Sequence, residues 1–259
     1  MKLQSITNLT GFMAAGVLAL SSTPAQAFSF TTNFTQTGDA TENIFLNSVE
    51  KNGNIISDFI LVESATIIEN NGALGPASSD AGDNADGVVA EDPTAVQIAA
   101  SLGNLNLNNI IDGEDDGQFK LNLFFADAVD NLFFWERGLN SKLKVEAIDA
   151  VGNVLAGSSA FTILANMWTD AGYSIDTTEI GSAQAVGSKG LDLTAFGLAK
   201  NSSIVGIRVS AESNFNGPDF KVVGASVPTT VPEPASLLGL GLVAGVVGLS
   251  RRRQATNNA

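Results

Sequence analysis

The chain has 259 residues, 44% of them hydrophobic and 15% charged, enough for the core of one large domain and too apolar for a disordered polymer. It contains no cysteine and no histidine, which excludes disulfides and thiol redox chemistry and argues against zinc, haem and Ser-His-Asp hydrolysis. The net charge of −14 is uneven: between residues 3 and 250, nine basic side chains stand against 27 acidic ones, an acidity that repels nucleic acid.

The chain opens with Lys2, runs through an apolar stretch from Gly11 to Leu20 and reaches Ala25-Gln26-Ala27. A basic start, a short apolar run and an A-x-A site make residues 1–27 a secretory signal peptide. About ten apolar residues at roughly 1.5 Å each fall well short of a bilayer core of roughly 30 Å, so the run is a leader and not a span. Cleavage is predicted after Ala27, which makes Phe28 the mature N-terminus and the Sec machinery and signal peptidase partners.

Residues 28–226 carry no long 3.6-residue apolar stripe, and glycine, proline, Asn, Ser and Thr are abundant. The pattern predicts an all-β class, a β-sandwich or jelly roll in one domain. Strands are expected at 55–62, 119–125, 143–149, 159–164 and 204–211, and a helix at 93–102, where Pro93 suits a first turn. The segment 72–93 is glycine-rich and acidic and is expected to form a long exposed loop. Lys142 to Asp149 alternates polar and apolar residues, as a strand buried on one face does, and Ala150-Val151-Gly152-Asn153 follows as its turn.

Asp112-Gly113-Glu114-Asp115-Asp116-Gly117 begins like a calcium loop, but the twelfth position, which needs a bidentate Glu, is Leu123. Two readings stay open for Asp112, Glu114 and Asp116: solvated acidic turns, or a calcium site made of clustered oxygens. No other cofactor is expected. Phe133-Phe134-Trp135 cannot all face one core in a strand, so alternation places either Phe134 or its two neighbours outside. An outward Trp135 beside Glu136 and Arg137 would offer a sugar ring a platform with polar partners. The alternative packs the aromatics between two sheets and pairs Glu136 with Arg137 at the rim. Trp168 and Tyr173 carry the same two readings.

The end of the chain is a linker, 227–234, containing Val231-Pro232-Glu233-Pro234, then an uncharged run over 235–250, then Arg251-Arg252-Arg253 in a short tail. The run is read as a transmembrane helix of 16 residues with its basic end in the cytoplasm. This order resembles the PEP-CTERM sorting signal of exosortase substrates. The resemblance implies an exosortase as partner, transient anchoring in the inner membrane, cutting near the PEP motif, and arrival at the cell surface or in the extracellular matrix. The segments 131–141 and 217–224 are similar to a group of exosortase-dependent surface proteins, especially cyanobacterial ones, which implies an ectodomain type and no activity.

No phosphate loop, nucleophile elbow or dinucleotide fingerprint occurs, and among 27 acidic residues a carboxylate pair carries no specificity for glycoside hydrolysis. The sequence therefore predicts a non-enzymatic surface or matrix protein. The alternative is an ectodomain that binds exopolysaccharide, assisted by calcium.

Overall fold

A computed structural model describes residues 27–72, 79–83, 93–115, 117–177 and 181–226. The leader expected before Ala27 and the linker, helix and basic tail expected over 227–259 lie outside these residues. The chain runs as β1 (Ala27–Phe28), β2 (Thr31–Gln36), β3 (Ile44–Lys51), β4 (Asn54–Ile56), β5 (Val62–Gly72) and β6 (Ser79–Asp83), then helix α1 (Ala95–Leu102). β7 (Ile110–Gly113), β8 (Gly117–Val129), β9 (Asn131–Arg137), β10 (Leu143–Ile148) and β11 (Phe161–Ile163) follow. β12 (Thr169–Ile175), β13 (Gln184–Asp192), β14 (Ile204–Ala211) and β15 (Asp219–Ala225) come last.

The all-β, antiparallel class holds, and the strands form three sheets. One sheet of seven strands has the order β1-β13-β9-β15-β7-β6, with β12 sharing with β1 the free edge of β13. A five-stranded sheet runs β11-β10-β14-β8-β5, and a small one runs β2-β3-β4. The seven-stranded sheet lies between the other two. Leu132 and Phe134 of β9 and Val222 of β15 pack with Leu121, Leu123, Val145, Ile207 and Val209 of the five-stranded sheet. Phe133 and Trp135, on the opposite face of β9, pack with Phe30 and with Ile44, Leu46 and Val49 of β3.

This third layer corrects the expectation drawn from alternation. Neither Phe134 nor its neighbours point to solvent, because both faces of the central sheet are covered: all seven residues of β9 and of β15 are buried. Strands covered on both sides read as continuous apolar runs, as Leu132 to Trp135 does. Two smaller corrections concern the first half. The strand expected over 55–62 is two pieces, β4 and the start of β5, and between them Ile60 makes an isolated bridge to Gly224 of β15. Within the segment expected to be loop, β6 pairs with β7.

The expected helix appears over 95–102, with Pro93 just ahead of its N-cap rather than in its first turn. Thr94 caps α1, its hydroxyl accepting from the Gln97 N–H while the Gln97 side chain accepts from the Thr94 N–H, a reciprocal capping box. Asn104 to Asn109 then lies against β3: the Leu46 N–H donates to Leu105 O at 2.9 Å and the Leu107 N–H to Ile44 O at 2.7 Å. The Asn106 amide oxygen accepts from the Ile44 N–H.

Register sets the polarity of the central sheet. Asn131 pairs with both Asp192 and Ala225, and Ala27 pairs with Leu191, so β1 begins and β15 ends at the same end of the sheet. Three strand spacings of about 4.8 Å separate Ala27 from Ala225 laterally, roughly 14 Å. At the other end, six residues or about 20 Å along β9, stand Arg137, Asp219 and Val186.

Candidate functional site

A polar cleft of about 370 Å³ opens at this second end. Its walls come from four segments: Asp112 to Asp115 at the end of β7 and just beyond it, Arg137 at the end of β9 with Asn140 beyond it, Gln184 at the start of β13, and Asn216, Gly217 and Asp219 leading into β15. The loop at Gly217 crosses the β7–β8 turn so closely that a Cβ at Gly217 would run into the Gly113 carbonyl oxygen, and its φ is +41°. Only glycine allows that crossing.

The floor is a buried ion network. Arg137 donates from Nε to Asp219 Oδ2 at 2.9 Å, from one terminal nitrogen to Asp112 Oδ2 at 3.0 Å, and from the other to the Thr177 hydroxyl. The Gly113 N–H donates to Asp219 Oδ1 at 3.1 Å. Arg137, Asp112 and Asp219 are all under a tenth exposed. Burial first, and then the adjacent Asp112 carboxyl, push the Asp219 carboxyl well above its ordinary range, with Arg137 opposing them. Two carboxylates thus share one guanidinium and hold a proton more tightly than isolated aspartates do.

Glu136 points to the opposite face of β9, under the β9–β10 loop. It is 1% exposed, and neither carboxyl oxygen has a hydrogen-bond partner. Burial pushes its carboxyl up to about 8, although nearby Ser141, the Leu139 backbone and Arg137 pull the other way. Ser141 is occupied elsewhere, its hydroxyl donating to the Asn216 carbonyl oxygen and its own carbonyl accepting from Trp168 Nε1 at 2.8 Å.

Lys221 is completely buried beside the aromatic face, donating from Nζ to Ser101 O at 2.6 Å and to Asn104 Oδ1 at 3.2 Å. Burial lowers its ammonium well below the ordinary lysine range. The side chain ties β15 to the last turn of α1, where backbone carbonyls lack intrahelical donors.

These positions correct three sequence expectations. Trp135 is 1% exposed and its indole N–H donates to Thr32 Oγ1 at 2.9 Å, so it offers a sugar no stacking platform. Glu136 and Arg137 are not a rim pair: they leave β9 on opposite faces, and Arg137 is held by two aspartates instead. Asp112 is likewise committed to Arg137, Glu114 is exposed, and Asp116 lies outside the described residues. Among the described residues no group of three acidic side chains is arranged to hold a metal ion. Trp168 and Tyr173 are buried as well, Tyr173 with its hydroxyl unpaired.

The structure joins residues that the sequence left apart. Asp112, read as a calcium ligand, and Arg137, read as a sugar contact, belong to one network, and its third member, Asp219, is marked in the sequence only as part of the segment 217–224 and not as a site residue. The two segments singled out by resemblance, 131–141 and 217–224, are neighbours, with β9 and β15 paired from Asn131↔Ala225 to Arg137↔Asp219.

The chain matches the family model of the PEP-CTERM protein-sorting motif over residues 230–254. No curated protein matches it. The motif marks an exosortase-dependent protein that passes through the membrane to the cell surface. It begins five residues after the last residue of β15, so cutting near Pro232-Glu233-Pro234 leaves every described strand intact.

Proposed function

We propose that this is a Sec-exported, exosortase-processed envelope or matrix protein whose ectodomain acts by its presence and contacts rather than by catalysis. One observation carries the reading: a sorting motif at 230–254 follows directly on a domain whose buried Arg137 and Lys221 are engaged internally. Arg137 has all three guanidinium nitrogens engaged, and Lys221 is sealed against α1. A buried charge network with its donors engaged holds a shape. The leader is removed after Ala27 by signal peptidase in this reading. Replacing Glu233 with Ala is expected to leave the protein in the membrane fraction with its C-terminal segment uncut, whereas the native chain is shed. Equal shedding of both forms would remove the sorting assignment.

The cleft favours a second reading, recognition of exopolysaccharide. It sits at the end of the sheet opposite the one from which both chain termini leave, and so faces away from a membrane-held tail. Asn140, Gln184 and Asn216 offer amide donors and acceptors there, beside the carboxylates. Glycan-array binding by the mature domain, abolished in Gln184→Ala with its melting temperature unchanged, supports this reading. Absence of binding by the native domain removes it and leaves the structural role.

A further inference from the structure

The bond expected to be cut by signal peptidase lies within β1, a half-buried edge strand of the central sheet. Ala27 pairs with Leu191 and Phe28 with Gly190 on the edge of β13. The Phe28 ring lies directly over Gly190, where a Cβ would collide with it. It packs edge-on to Phe133 at 5.8 Å and to Phe30 at 6.4 Å between ring centroids. On its other side Lys51 Nζ stands 3.5 Å from the ring centroid and donates to Asn131 Oδ1 at 2.5 Å. Phe28 therefore fills a slot made by three strands, with glycine as its base and a lysine as its cover.

A protease reads its substrate as an extended strand, and the same backbone groups cannot serve the protease and β13 together. We infer that docking of Phe28 and cleavage of the Ala27–Phe28 bond exclude each other, so the leader is removed before β1 closes the sheet, and docking then seals the processed end. Hydrolysis adds one water across the amide and leaves an Ala27 carboxylate and a Phe28 ammonium. Ala27 departs with the leader, while Phe28 keeps its ring over Gly190. The slot thus selects the residue at which processing must stop: a chain trimmed past Phe28 leaves Phe30 and Phe133 uncovered. This inference rests on the reading that signal peptidase cuts after Ala27.

The test uses the full precursor with bacterial signal peptidase in phospholipid vesicles, presented either from urea or after folding. When cleavage requires opening of the docked end, its rate follows the open population. Burial of one phenylalanine corresponds to about tenfold or more in that population. Cleavage after Ala27 is expected to be about tenfold slower for the folded precursor. Phe28→Ala restores fast cleavage of the folded chain, and so does Gly190→Ala, which expels the ring while leaving the cleavage site unchanged. Circular dichroism confirms that both variants remain folded. Equal rates for folded and unfolded native precursor overturn the inference while keeping the leader assignment. Absence of cleavage after Ala27 in either state overturns both.

Discussion

Arg137→Met is expected to destabilise the ectodomain by about 3–5 kcal/mol, since removing one partner of a buried ion network leaves uncompensated charge behind. Here the loss is aggravated because one guanidinium serves two carboxyl groups, Asp112 and Asp219, both under a tenth exposed. Methionine keeps most of the side-chain volume, so the effect reads charge and hydrogen bonding rather than a cavity. Urea unfolding at pH 7 measures it. A loss under about 1 kcal/mol would mean that the network is hydrated and behaves as an exposed ion pair. Adding Asp112→Asn and Asp219→Asn to the arginine variant is expected to recover much of the loss, because the orphaned charges are then gone. That recovery is the coupling energy of residues that share one network.

Glu136→Gln has the opposite sign and a distinct pH signature. The Glu136 carboxyl is raised from its ordinary 4.5 to about 8 by burial. Below pH 4.5 it is protonated in folded and unfolded chains alike, and its contribution to stability is fully present. Between 4.5 and about 8 the unfolded chain has released the proton and the folded chain has kept it, so rising pH favours unfolding. The integrated loss is on the order of 5 kcal/mol and is complete above pH 8. Glutamine cannot ionise, but it buries an amide that costs about 1–3 kcal/mol when unpaired. The variant should therefore be more stable than the native domain by about 2–4 kcal/mol at pH 9, and less stable than it by about 1–3 kcal/mol at pH 4. Asp219, also raised, adds a slope of the same sign that the variant retains. Parallel pH–stability curves for native protein and variant would show that the Glu136 carboxyl is solvated or paired.

The sequence was readable where its signals were local. Lys142 to Asp149 alternates, and it forms β10, with Val145 buried and Lys144 half-buried. Its turn is held by Asp149, whose Oδ1 accepts from the N–H groups of Val151 and Asn153 at 3.0 and 2.8 Å. Ile204 to Ala211 is β14, residue for residue. Pro93 marked the helix start within one turn, while the Thr94 cap emerged only from the structure. What stayed hidden depended on contacts remote in sequence. β9 and β15 carry charged residues that normally mark a solvent face, yet Arg137, Asp219 and Lys221 are buried because each is met by a partner from another segment. Asp112 lies 25 positions from Arg137, and Ser101 lies 120 from Lys221. A period of two shows which residues share a face, but not that a third layer covers it. The run Phe133-Phe134-Trp135, next to charges, was the one local hint of a strand buried on both sides.

The two ends of the chain acquire a common geometry from the fold. Because β1 begins and β15 ends at one end of the central sheet, Ala27 and Ala225 stand roughly 14 Å apart, three strand spacings, where a leader and the sorting motif would join the domain. Signal peptidase and exosortase would thus approach the same end, and the polar cleft would point away from both.

The most direct test of the central claim is the intact mass of the surface-released protein from its native host, with and without the exosortase. The account predicts a chain that begins at Phe28 and ends near Pro234 when the exosortase is present, and that keeps its C-terminal segment through Arg253 when it is absent. A released chain retaining Arg251-Arg252-Arg253 in both strains would contradict it, leaving a membrane-anchored ectodomain without exosortase processing.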